Sequence, residues 1–205
     1  MKKTIILTLA VILCFQAAIF AQDNQASFEA ALAKEGLSAE EYDMATTYYY
    51  QNPQPEKLIS VVKAILSQEY LISDAKHFGS FAHLIATAAN NSQVVLGELK
   101  NMANTYSGIQ KTVIEQIISE AENFQPAQPN SPIGLDYLWA EFMVTGKEEP
   151  VKKIISVLAS PETKSLEAML IRGAAEWSLG ANAKQHKKVY EIIQKEAMTA
   201  TGELK

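Results

Sequence analysis

Three features of this 205-residue chain predict an all-α fold. Apolar residues recur every three to four positions, helix breakers punctuate them at regular intervals, and no stretch alternates polar with apolar between turns as a strand would. The plainest instance is Leu58, Val61, Val62, Ile65 and Leu66, which fall on one face of a helix but on both faces of a strand. Such stripes and breakers mark about nine helical segments. The expected architecture is therefore antiparallel helices in layers, a helical-repeat-like α-α superhelix.

The chain opens differently from the rest. Met1, Lys2 and Lys3 precede an uncharged run from Thr4 to Phe20, centred on Ile5-Ile6-Leu7-Thr8-Leu9-Ala10-Val11-Ile12-Leu13. A short basic start followed by an apolar core is the pattern of a secretory signal peptide. Ala21 before Gln22 suits cleavage, although Ile19, at the third position back, is bulkier than the preferred alanine. Two alternatives stand beside cleavage. The run approaches the roughly 20 apolar residues of a membrane span, so an uncleaved segment would serve as an anchor. Lipid attachment at Cys14 is the other; Leu13 before it is too large for a lipoprotein signal, and the run stays apolar after it. The expectation is a signal at 1–21 and a single helical domain at 22–205, exported to the periplasm or beyond, with no membrane insertion once the signal is removed.

Within the domain each helix has its punctuation. A short helix begins near Asp23 and ends at Gly36. Ser38 and Glu41 form a capping box for a helix that runs from Ala39 into Tyr48-Tyr49-Tyr50 and stops at Asn52-Pro53-Gln54-Pro55. The Leu58–Leu66 stripe follows, and Asp74 caps a segment carrying Phe78, Phe81, Leu84 and Ile85. Ser92 and Ser107 open two more, the second with Ile109, Val113, Ile114, Ile117 and Ile118. Pro126, Pro129 and Pro132 make 125–132 an extended linker that divides the domain into two halves. Helices near 133–145, 149–159, 162–180 and 183–200 complete the chain. A shift of 93 residues pairs Tyr49 with Phe142, Leu58 with Val151, Val61 with Ile154, Val62 with Ile155 and Ile65 with Leu158, and sets Pro53 on Gly146. Either this is the ordinary alignment of two amphipathic helix pairs, or a helix–turn–helix unit is duplicated.

Composition excludes more functions than it suggests. Acidic side chains outnumber basic ones by 23 to 18, and losing Lys2 and Lys3 with the signal sharpens the imbalance. Such a chain lacks the basic patch that nucleic acid requires and does not suit an anionic membrane. Lys184, Lys187, Lys188 and Lys195 form a local cluster that reads as a solvated helix face. Cys14 is the only cysteine, so the cleaved chain has no disulfide, iron–sulfur cluster or thiol nucleophile. No cofactor is expected: phosphate-cradling glycine clusters, H-E-x-x-H and G-x-S-x-G are all missing. His77 and His83 lie six apart, about 120° around a helix, a poor spacing for metal ligands, and His186 is distant.

The carboxylates carry the strongest enzymatic signal. The helix at 133–145 is apolar almost all round, yet it holds Asp136 and Glu141. Arg172, the only arginine, lies in another largely apolar helix, with Glu176 four residues on and Trp177 next to that. Structurally, Arg172 would tie to Glu141, Asp136 or Glu176 in a two-pronged ion pair. Chemically, Glu141 or Asp136 would be the general acid of a glycan-cleaving hydrolase of the envelope. Tyr49, within the tyrosine triplet, either pins the proline turn or marks a partner surface.

The segments Leu138-Trp139-Ala140-Glu141-Phe142-Met143-Val144-Thr145-Gly146 and Ala175-Glu176-Trp177-Ser178-Leu179-Gly180-Ala181-Asn182-Ala183-Lys184-Gln185-His186 resemble uncharacterised exported helical proteins of bacteria. In those, an aromatic-rich helix ends in Thr-Gly, and a later Trp-Ser-Leu precedes Asn-Ala and a histidine. The likeness covers mainly 135–190, with a fainter match from Tyr49 to Leu58. It implies a helical fold, transfers no activity, and draws attention to Asn182 and His186. The leading expectation is a non-enzymatic binding or scaffolding module of the cell envelope whose partner is another envelope protein or a peptide; the alternative is the hydrolase.

Overall fold

A computed structural model describes residues 22–73, 75–159 and 165–202. The expected signal with Cys14 and Ala21, the Asp74 cap and the side chain of His77 lie outside the described residues. Among those described, the chain is helical with no strand, in eleven α-helices. These are α1 (Gln22–Lys34), α2 (Ala39–Thr46), α3 (Pro55–Leu66), α4 (Glu69–Ile72), α5 (Ala75–Asn91), α6 (Gln93–Thr105), α7 (Gly108–Glu122), α8 (Pro132–Thr145), α9 (Glu148–Ala159), α10 (Leu166–Gln185) and α11 (Lys187–Gly202).

The count exceeds nine for physical reasons. α4 is a single turn, too short to show a period in sequence. The helix from Ala39 ends at Thr46, and the tyrosines continue as a separate 3-10 turn at Tyr49–Gln51. The last two helices part later than expected. Gly180 to Asn182 stay within α10, and the break falls at His186, whose extended backbone (φ −116°, ψ 104°) ends the helix. Ser38 forms the full capping box with Glu41, and Ser92, Ser131 and Ser165 each accept a first-turn amide.

The 93-residue offset extends to element boundaries. It carries α3 onto α9 end for end, the cap Ser38 onto the cap Ser131, and α5 and α6 into α10 and α11. Contacts follow in part: α3 packs on α6, and α9 packs on α11. The copies differ where α8 runs unbroken through the positions at which the first copy turns at Tyr49–Gln51.

One hydrophobic cluster runs from Phe28 on α1 to Ile192 on α11. Its centre is α8, buried nearly all round through Leu135, Leu138, Trp139, Ala140, Phe142, Met143 and Val144. The broadest helix–helix contact in the fold is α5 against α8, which spans the expected divide at 125–132. That proline-rich segment lies against α8: the Ala127 amide donates to Glu141, and the Ala127 carbonyl accepts from Lys153 Nζ at 3.0 Å. No helix among the described residues is long and apolar enough to cross a membrane.

Gly146 ends α8 in the left-handed region (φ +61°), and a Cβ there would meet Tyr50 Cδ2 at 2.8 Å. Gly146→Ala is therefore expected to lower unfolding free energy by about 2 kcal/mol. The same change at Gly97, which has open space around it within α6, should be neutral or stabilising. Urea unfolding of both variants checks the contrast.

Candidate functional site

α5 has three polar side chains in its buried stretch, Ser80, His83 and Thr87; the last two find hydrogen-bond partners, and Ser80 Oγ has none among the described residues. Thr87 donates back to the His83 carbonyl at 2.7 Å. His83 reaches across to two other helices. Its Nδ1 is hydrogen-bonded to Glu120 on α7, and its Nε2 lies 3.2 Å from Oε1 of Glu141 on α8. The ring is sandwiched between Tyr137, 4.4 Å away and nearly parallel, and Phe124 at 5.6 Å. Glu141 Oε1 also accepts the Ala127 amide at 2.6 Å.

A histidine that faces carboxylate oxygens with both nitrogens satisfies both as the imidazolium, so this setting favours the charged form. Burial opposes that charge, but hydrogen bonds to Glu120 and Glu141 and their negative charges outweigh it, so the pKa of His83 is raised. The two carboxylates differ sharply in setting. The Glu141 side chain is 8% exposed and that of Glu120 is 39% exposed, so the centre opens to water only at Glu120.

Such an arrangement holds charge well and moves protons poorly. His83 has no lone pair left with which to act as a base, and Glu141 already accepts two hydrogen bonds on one oxygen. Asp136, pushed up to about 7 by burial, is five residues from Glu141 and so about 140° around α8 from it. The two do not face each other across a groove as a glycosidase pair would. Among the described residues no group of three or more His, Cys, Asp or Glu is disposed to hold a metal ion.

A second buried node joins the 3-10 turn to α8, α10 and α11. His186, fully buried, places Nδ1 3.2 Å from the Tyr50 hydroxyl. Tyr48 and Phe142 pack on its ring with centroids at 4.8 and 5.8 Å. Burial pushes its pKa down to about 4, the opposite direction to the shift at His83. Asn182, one turn earlier, donates to the Ser178 carbonyl at 2.9 Å and accepts the His186 amide at 2.8 Å. Several positions of the Trp-to-Gly and Trp-to-His segments converge here, namely Phe142, Gly146, Asn182 and His186, and they fasten helices together.

The remaining candidates separate. Tyr49 is buried in the core and pins the turn. Glu141 is engaged by His83 and Ala127 where a tie to Arg172 was expected, and Arg172 sits half-buried on α10. Glu176 and Trp177 are exposed on α10, and Trp177 belongs to a larger feature. Leu166, Met169, Leu170 and Trp177 are 71%, 62%, 59% and 49% exposed, on the face opposite the buried Ile171, Ala175, Leu179 and Asn182. Sequence reasoning marked α10 as largely apolar without placing its exposed stripe, weighed His83 only as a metal ligand, and passed over Glu120. The overlooked sign was a histidine set within the apolar Phe78–Ile85 stretch. No protein family matches the chain, and no curated protein or solved structure is significantly similar to it.

Proposed function

We propose that the chain is an exported, non-enzymatic helical protein of the cell envelope, a helical-repeat-like scaffold that binds another polypeptide through the outer face of α10. The observation that carries this reading is the stripe of Leu166, Met169, Leu170 and Trp177, large apolar side chains left in water on one face of a twenty-residue helix. Scattered exposed hydrophobes need no explanation, but an aligned set rimmed by polar residues marks an interaction surface. Glu141 Oε1, which accepts from the Ala127 amide and faces His83, joins helices in the core, and that placement favours binding over hydrolysis.

Two measurements test the reading. A photo-crosslinking residue in place of Leu170, activated in intact cells, should form an adduct with a polypeptide, while the same probe at the equally exposed Val94 on α6 should not. No adduct from position 170 would overturn the binding role. Export predicts an N-terminus at Gln22; an intact mass that includes residues 1–21 would overturn cleavage, and a lipid increment on a chain beginning at Cys14 would replace it with an anchor.

A further inference from the structure

We propose that the partner of the α10 face is a second copy of this chain, bound antiparallel with a two-fold axis beside Gly173; this rests on the reading of α10 as the binding surface. At about 100° per residue, Leu166, Met169, Leu170, Gly173, Trp177 and Gly180 fall within one stripe about 100° wide. Their order is self-complementary. With the axis at Gly173, Met169 of one copy lies opposite Trp177 of the other, and Leu166 lies opposite Gly180. Met169 thus meets a ring that favours a thioether, Leu166 a position without a side chain, and Leu170 the aliphatic stem of Glu176. Gly173 itself has nothing within 4 Å of where a Cβ would stand, so two backbones can approach closely at the axis.

Charge follows the same symmetry. An antiparallel helix pair related by a two-fold axis sets each flank against the same flank of its partner. One flank of the stripe carries Arg172 and Glu176, four residues apart and centred one residue from Gly173. Each glutamate then lies near the partner's arginine, an opposition that only the antiparallel arrangement provides, because a parallel pair would set this flank against the other one, which carries Glu167. The helix carries Glu167, Glu176, Arg172 and Lys184, so it is neutral in a chain of net charge −5 and adds no repulsion to the contact. This balance also argues against an anionic membrane as occupant, which would select a basic rim.

The test uses the exported chain purified from its envelope. Sedimentation should give a dimer, and Leu170→Glu should weaken it about 100-fold while leaving the helical circular dichroism intact. In a Cys14→Ala background, Gly173→Cys should oxidise to a disulfide-linked dimer, because the axis brings each residue 173 to its own copy. Lys184→Cys, eleven residues along the same stripe, should not, since antiparallel copies hold residues 184 about 33 Å apart. Equal crosslinking at 173 and 184 would overturn the antiparallel arrangement. A monomer at high micromolar concentration would overturn self-association, as would a monomer that floats with phosphatidylglycerol vesicles. If that monomer still gives adducts with a different polypeptide from position 170, the binding reading stands and only the second copy falls.

Discussion

Glu141→Ala is expected to cost about 3–5 kcal/mol of unfolding free energy, close to the largest loss a single side chain of this fold can produce. Two donors, His83 Nε2 and the Ala127 amide, converge on the same oxygen of Glu141. Alanine leaves both without an acceptor in the core, one of them on a charged ring. Glu141→Gln separates charge from hydrogen bonding, because the amide oxygen can still receive both donors; its cost should be about 1–2 kcal/mol. Glu120→Gln should cost less than about 1 kcal/mol, since the Glu120 side chain is 39% exposed and water screens its pairing. The sign with pH follows from His83. Its pKa is raised in the folded state, so the stabilisation is fully present below the ordinary value of 6.5 and fades as pH rises through the raised value. Urea unfolding of the three variants at pH 6 and pH 9 should show the order Ala, Gln, then Glu120→Gln, with the Glu141→Ala deficit smaller at the higher pH. Equal losses at 141 and 120, or a deficit that grows with pH, would contradict a charged His83 held chiefly by Glu141.

That centre also shows where sequence reasoning stops. Helices announced themselves wherever a stripe met a breaker, as with Leu58–Leu66 between Pro55 and Ser67, because amphipathicity and proline act locally. The basic start and apolar run of residues 1–21 are a local pattern as well. Glu141 was visible as a carboxylate in an all-apolar helix, but its partner lies 58 residues away, and nothing local distinguishes His83 from Arg172 as that partner. The proximity of α5 to α8 had to be known first. α10 was undecided for a related reason. Its sequence shows a largely apolar helix but not which face is covered, and the packing of α8, α9 and α11 against its other face leaves Met169, Leu170 and Trp177 in water. The 93-residue echo stood between, weak as a residue alignment and far clearer once α3 and α9 proved to share both ends.

Acidification should expose the other histidine. Between pH 6.5 and 4 the folded chain is expected to lose about 3 kcal/mol through His186 alone. Its ring lies among Tyr48, Tyr50 and Phe142, and burial pushes its pKa down to about 4. The unfolded chain therefore takes up a proton at this position from 6.5 downward while the folded chain resists until about 4, and the difference drives unfolding. Asp43 and Asp136 work against it. Burial pushes them up to about 6 and about 7, so each gains its proton earlier in the folded state and adds stability as pH falls. The wild-type curve mixes these signs, and a paired comparison separates them. His186→Gln keeps a polar side chain beside the Tyr50 hydroxyl but cannot titrate, so wild type should lose about 3 kcal/mol more than the variant from pH 7 to pH 4. Imidazole NMR shifts give the same answer directly: His83 should titrate above 6.5 and His186 near 4, opposite displacements that arise because one ring is buried against carboxylates and the other against aromatic faces. A folded-state value near 6.5 for His186 would mean that water reaches its ring, and the acid-induced loss would then be absent.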